Sequence, residues 1–294
     1  MRLLVITQKV DKNDPVLGFF HRWVEEFSKQ FVGVTVICLG KGESSLPANV
    51  RVLSLGKEEG VSKLEYLRRF YRYVCVYKGE YDLVLVHMNQ EYVLLGGLLW
   101  RLWGKRVYLW RNHPKGNLLT CLAAVFSTKV FYTSSQSFTA RFKKAVQMPV
   151  GIDTNFFKPD SSVERIQGTV LVLGRISPIK KVLECIDWIK SRDLNGTIAG
   201  PVLSIDKFYG DKVLNALNDK IKYVGPYTRE QELRLCQTHE IYINKTPAGS
   251  LDKTILEALA CGMKLVVDNP DAQNLRLEDH SLSKLMEKLT KEMR

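Results

Sequence analysis

Short runs of β-branched and aliphatic residues alternate with stretches of helical periodicity along the whole chain. In the first half the runs are Leu3–Thr7, Val34–Leu39, Val50–Leu55, Leu83–His87, Arg106–Trp110 and Lys129–Thr133. Their apolarity is continuous rather than alternating, which predicts strands covered on both faces and hence a parallel sheet. Between the first two runs, Phe20, Trp23, Val24, Phe27 and Phe31 recur at three- and four-residue steps and predict an amphipathic helix. Ser62 followed by Glu65 reads as a capping box that opens a helix to about Lys78.

The second half repeats the alternation. Strands are expected at Thr169–Leu173, Thr197–Ala199, Lys222–Val224, Ile241–Asn244 and Leu265–Asp268, with helices between them and a last helix from about Asp279 to Met293. Thr228 and Gln231 form a second capping-box pattern. The segment Met148-Pro149-Val150-Gly151-Ile152-Asp153, continuing through polar residues to Gly168, reads as a linker. The pattern therefore predicts two doubly wound α/β domains, 1–150 and 169–294, joined by 151–168. Ligands of such folds sit at the carboxyl ends of the strands, so a cleft between the domains is the expected site.

Length and composition agree with this division. A chain of 294 residues with 45% apolar and 25% charged residues is globular and long enough for two cores. Met1–Thr7 reads as a first strand rather than a leader. The longest uncharged apolar run, Tyr92 to Trp100, falls far short of the ~20 residues a membrane-spanning helix needs. Six scattered cysteines with no C-x-x-C pair predict thiols in a reducing compartment, and a cytoplasmic protein is expected. Charge is shared unevenly. Residues 1–155 hold 22 Lys/Arg against 12 Asp/Glu, whereas residues 156–294 hold 21 against 19. The excess in the first half points to an anionic partner there: a membrane surface or a phosphorylated acceptor. Nucleic acid is not expected, since no reader motif is present.

The sharpest chemical signal is Arg175 and Lys180 in VLVLGRISPIKK. An apolar strand runs into Gly174, and two cations flank the turn that opens the next helix. A phosphorylated ligand suits that arrangement, because a helix N-terminus adds free N–H groups and a positive dipole end. No metal-ligand cluster is evident, and Asp11-Lys12-Asn13-Asp14 reads as a solvated loop. Gly18, after that loop, permits close backbone approach to phosphate or sugar, or simply starts a helix. His113 follows the strand Arg106–Trp110, and His87 ends another; each reads equally as a packing histidine. In the helix after Ser62, Leu64, Leu67, Tyr71 and Val74 share one face of the wheel. Arg68, Arg69 and Arg72 lie opposite, bordered by Tyr66, Tyr73 and Tyr77, a pattern fitting either a solvated face or anionic headgroups at the inner face of a membrane.

Together, GRISPIKK and GSLDKTILEALACGMKLVV resemble the nucleotide-sugar site of the retaining glycosyltransferases of family 4, whose patterns run roughly G-R-x4-K-G and E-x7-E-A-x-A-x-G. The interdomain stretch P-x-G-V-D-x-x-x-F is matched closely by Pro149 to Phe157. The resemblance covers nearly the whole chain and implies a GT-B fold. It implies transfer with retention from a nucleotide-diphosphate sugar to a glycan or lipid-linked acceptor. Arg175 and Lys180 would stabilise the leaving group without a metal, and no cofactor is expected. It places Glu257 on the ribose hydroxyls and His113 in the sugar pocket, and Tyr227, Lys253 and Thr254 join the donor candidates. Backbone N–H groups from Ser250 to Thr254 are available to phosphate. Two departures stand out. Gly249 occupies the position of the first Glu, with Asp252 either substituting for it or capping the helix; loss of that carboxylate leaves a catalytically impaired nucleotide-sugar-binding protein as the alternative. The chain also ends soon after Val267.

Overall fold

The structure, a computed structural model, describes every residue except Ser250 and Asn274. The chain divides into two units, Met1–Met148 with Met286–Arg294, and Pro149–Leu285. The end of the chain thus groups with the first unit, unlike the expected second domain of 169–294, and residues 151–168 belong to the second unit rather than to a separate linker.

In the first unit the elements run β1 (Arg2–Val10), α1 (Gly18–Gln30), β2 (Gly33–Lys41), β3 (Val50–Ser54), α2 (Lys63–Val76), β4 (Leu83–His87), α3 (Gln90–Leu102), β5 (Arg106–Trp110), α4 (Leu118–Phe126), β6 (Lys129–Tyr132) and β7 (Ala145–Gln147). All seven strands are parallel, in the order β3-β2-β1-β4-β5-β6-β7. Each expected run is a strand here. Only β7 was missed, because three residues of modest apolarity carry no pattern. Leu3 to Ile6 and Leu83 to Val86 are fully buried, as strands covered on both faces must be.

The second unit contains β8 (Ile166–Leu173), α5 (Val182–Lys190), β9 (Asn195–Ala199), α6 (Lys207–Asn215), β10 (Ile221–Gly225), α7 (Arg229–Thr238), β11 (His239–Asn244), α8 (Lys253–Ala260), β12 (Lys264–Val267) and the start of α9 (Leu282–Met293). Its five strands are parallel in the order β10-β9-β8-β11-β12. Both sheets are therefore wound outward in two directions from their first strand. The reversal falls between β1 and β4 in one unit and between β8 and β11 in the other, which is where loops part and a ligand can enter. From Met286 on, α9 belongs to the first unit. There Tyr108 Oη donates to the Met293 carbonyl at 3.0 Å and Lys129 pairs with Glu292 at 2.8 Å.

Local capping follows the sequence in α7 and half-follows it in α2. The Thr228 and Gln231 side chains each bond the other's backbone N–H. Ser62 accepts from Glu65 N, but the Glu65 carboxylate turns to Arg68 and Arg69 instead of back to the cap. The buried face of α2 is also rotated from the expected one. Phe70 and Val74 enter the core, while Leu64 is 76% exposed, since it lies ~100° around the wheel from that pair.

Candidate active site

The second unit builds its site at the switch point. β8 ends at Leu173, and Gly174 takes φ +118°, a conformation that L side chains rarely adopt. Its carbonyl lies so near β9 that a Cβ on Gly200 would sit 1.9 Å from it, so only glycine fits there. Arg175 follows, 40% exposed, with its Nε 3.6 Å from an Asp206 carboxylate oxygen. Ser177 is extended, Pro178 starts a short 3-10 turn, and Lys181 in the left-handed region leads into α5. The Ser177 hydroxyl is buried in this turn with no hydrogen-bond partner.

Across the switch, β11 delivers Asn244 and a loop to Asp252, which precedes α8. Lys180 Nζ is ion-paired and hydrogen-bonded to Asp252. The same carboxylate oxygen accepts from Asn244 Nδ2 at 3.0 Å and Thr246 Oγ1 at 3.1 Å. Burial alone would raise the Asp252 pKa; Lys180 first, then Asn244 and Thr246, hold it below the usual carboxylate value. Asp252 stands at the cap position of α8 without a capping hydrogen bond, with Oδ2 shared by Lys180, Asn244 and Thr246. Asn244 Nδ2 also reaches Tyr242 Oη at 2.9 Å, and that hydroxyl bonds Thr254 Oγ1 at 2.6 Å. One hydrogen-bonded chain thus runs from Lys180 to the first turn of α8.

Deeper in α8, Glu257 is only 3% exposed. It pairs with Arg229 Nη1 at 3.5 Å, and Arg229 in turn stacks over Phe157 at 4.9 Å. Glu232 shares the pocket. Burial first, and the Glu257 charge second, push the Glu232 carboxyl well above its ordinary value. Lys253 reaches the Gly151 carbonyl at 3.0 Å, and burial pushes its ammonium down to about 7. Tyr227 is buried among Tyr242, Leu251 and Ile255. Sequence reasoning named Glu257 and Lys253 but not Arg229, Glu232 or Asp206. Those three lie on elements whose pairing with α8 and the Gly174 turn no local pattern announces.

Gly249, at the position lacking the family carboxylate, has φ +103° and donates its N–H to Asp271 at 2.9 Å. A carboxylate is therefore present beside Gly249, contributed from beyond β12. Ser250, named among the phosphate-facing amides, lies outside the described residues. Among the described residues no three His, Cys, Asp or Glu side chains form a metal-holding group.

Gly18 and His113 belong to the first unit. Gly18 starts α1, and a Cβ there would meet the Lys12 carbonyl at 3.0 Å, so the close approach its lack of a side chain allows is to its own loop. His113 is exposed, with Nδ1 near the Lys115 backbone, where it accepts from the amide at 3.0 Å or donates to the carbonyl at 2.9 Å according to its tautomer. His87 is a packing histidine: it is 2% exposed, stacked on Phe20 at 4.2 Å, with Nδ1 3.2 Å from Thr7 Oγ1.

Residues 14–110 match the model of the glycosyl transferase 4-like family. No curated protein matches the chain in sequence. Among solved structures, HepE of Anabaena in complex with UDP is 16% identical with a TM-score of 0.71, covering 99% of this chain and 89% of that one. Sucrose-phosphate synthase of Thermosynechococcus elongatus is 12% identical, also with a TM-score of 0.71, and covers 99% and 89%. WaaG, a glycosyltransferase of lipopolysaccharide biosynthesis, is 14% identical with a TM-score of 0.61 over 99% and 90%. The chain has the GT-B glycosyltransferase fold, and its resemblance to family 4 stands.

Proposed function

We propose that the chain is a retaining, metal-independent glycosyltransferase that takes a nucleotide-diphosphate hexose in its second unit. The observation that carries this reading is the pair of cations at the β8 switch point, one of them held by a part-buried carboxylate. A diphosphate arriving there exchanges for Asp252 at Lys180 and for Asp206 at Arg175. In transfer, the bond between the sugar C1 and the phosphate oxygen breaks and a bond from C1 to an acceptor hydroxyl oxygen forms. The hydroxyl proton passes to the departing phosphate, and the two fixed cations stabilise the charge that develops on it. A solved neighbour of the same fold, HepE, holds UDP, which supports a uridine nucleotide as the first donor to try.

The test is a thermal-shift screen of nucleotide sugars, followed by a transfer assay with the donor that raises the melting temperature. Binding that disappears in Arg175→Ala, with product formed by the wild type, is the expected result. A nucleotide sugar bound equally well by Arg175→Ala and Lys180→Ala would overturn the site.

A further inference from the structure

In the first unit, α4 is amphipathic in an unexpected sense. Its buried positions are the small residues Thr120, Ala123 and Ala124, whereas Leu118, Leu119, Leu122 and Val125 face outward at 82, 49, 43 and 56% exposure. Phe126 packs on Gly97 of α3, and beside it α3 exposes Leu98 at 57% and Leu102 at 73%. An apolar surface of six side chains on two adjoining helices is far more than the isolated exposed leucine of an ordinary surface.

Exposed cations border it, Arg101, Arg141 and Lys143 among them, with Glu91 of α3 the acidic neighbour of Arg111. Residues 92–152 contain nine Lys/Arg and no Asp or Glu. The segment 138–144 runs alongside α4: Phe138 lies against Gly116 at its start, and Lys144 Nζ bonds the Val125 and Ser127 carbonyls at its end. Arg141 and Lys143 on that segment are exposed, and Arg101 of α3 is close enough to Lys144 to depress its pKa, after burial as the larger cause.

We infer that this face docks peripherally on an anionic lipid bilayer, with the α4 leucines entering the headgroup boundary and the surrounding cations meeting acidic headgroups. No described helix is long and apolar enough to cross a membrane, so the contact is with one surface. A second copy is the poorer occupant, because apposing two such faces would set Arg101, Arg141 and Lys143 of one copy against the same cations of the other.

Sedimentation with vesicles of phosphatidylcholine, with and without phosphatidylglycerol, tests the assignment on the full chain. The wild type should pellet with the acidic vesicles at low salt and be released as salt rises. Leu118→Ser with Leu122→Ser should weaken partitioning more than tenfold, and Arg141→Gln with Lys143→Gln by roughly thirtyfold, both at unchanged melting temperature because all four side chains are exposed. A wild type that ignores acidic vesicles at low salt would overturn the inference, as would a leucine variant that partitions like the wild type. So would a wild-type dimer that the leucine variant abolishes while neither binds vesicles. The proposed Arg175–Lys180 donor site lies in the other unit and is read separately by thermal shift on the same variants, so failure here leaves the transferase reading standing.

Discussion

The two units share one winding order but fill their switch points differently. In the first, rings pack behind the ends of β1 and β4, where His87 stacks on Phe20 and Trp23 meets Trp110 edge-on at 5.0 Å. The one lysine at the end of β1, Lys9, pairs within its own loop with Asp11 and Asp14 at 3.0 and 2.8 Å. In the second, the ends of β8 and β11 hold charge: Lys180 with Asp252 and, a turn deeper, Arg229 with Glu257. Aromatic packing holds a unit together without any ligand. A part-buried ion pair gives little net stability, since desolvation offsets most of its attraction, but it keeps a cation fixed and ready to trade partners. The same topology therefore carries a ring-packed switch point in one unit and, in the other, an ion pair that joins two strand ends and on which the proposed donor site rests.

The largest expected effect tests that contrast directly. Arg175→Ala and Lys180→Ala should each lower the transfer rate about a hundredfold, the ~3 kcal/mol of one preorganised charge contact. Their stabilities should part company. Arg175 is 40% exposed beside Asp206, so its loss should leave the unfolding free energy within ~0.5 kcal/mol. Loss of Lys180 strands Asp252 and should cost ~2–3 kcal/mol in chemical denaturation, most of it recovered by adding Asp252→Asn. Equal stability of the two single variants would break the comparison.

Acid should reveal the same carboxylate. Because the folded pKa of Asp252 is depressed, its contribution to stability is fully present above the ordinary carboxylate value of 3.8 and is lost as pH falls through the lower folded value. Denaturation curves in that acid range should be flatter for Asp252→Asn than for the wild type. An unchanged profile would show that the carboxylate is not specially held.

A smaller effect concerns the other basic surface, α2. Arg68 is bonded bidentately to Glu65 at 2.6 and 2.7 Å, and Arg69 to Glu65 and Glu59. Tyr71 and Tyr73 donate to the Leu95 and Ser54 carbonyls rather than border a headgroup plane. Replacing Arg68, Arg69 and Arg72 together by Gln should weaken binding to acidic vesicles about fivefold at most, the share of one exposed arginine. A greater loss than that of the Arg141 and Lys143 variant would move the docking face to α2. The smallest expected effect is none: transfer should proceed in excess chelator, and activity that only magnesium or manganese restores would show that the two cations do not suffice.

Strand and helix placement was legible because continuous apolar runs and three-to-four-residue spacing are local consequences of burial on both faces or on one. The Gly174 turn with Arg175 and Lys180 was legible for the same reason, since strand, glycine, cations and helix are consecutive. Charge was legible only as a sum. The excess in the first half pointed to α2, where arginines are conspicuous, yet Glu65 on the same helix and Glu59 from the preceding loop are set against them, while α4 is bordered by exposed cations from neighbouring segments. Likewise, Asp252 could be read as cap or substitute from its position alone. Its engagement by Lys180, and the placing of Asp271 beside Gly249, depend on residues brought together from different strand ends. The sequence determined which elements form and where a glycine turn displays two cations; only the fold decided which charges on different elements face each other, because such pairing acts through space and leaves no periodicity in the chain.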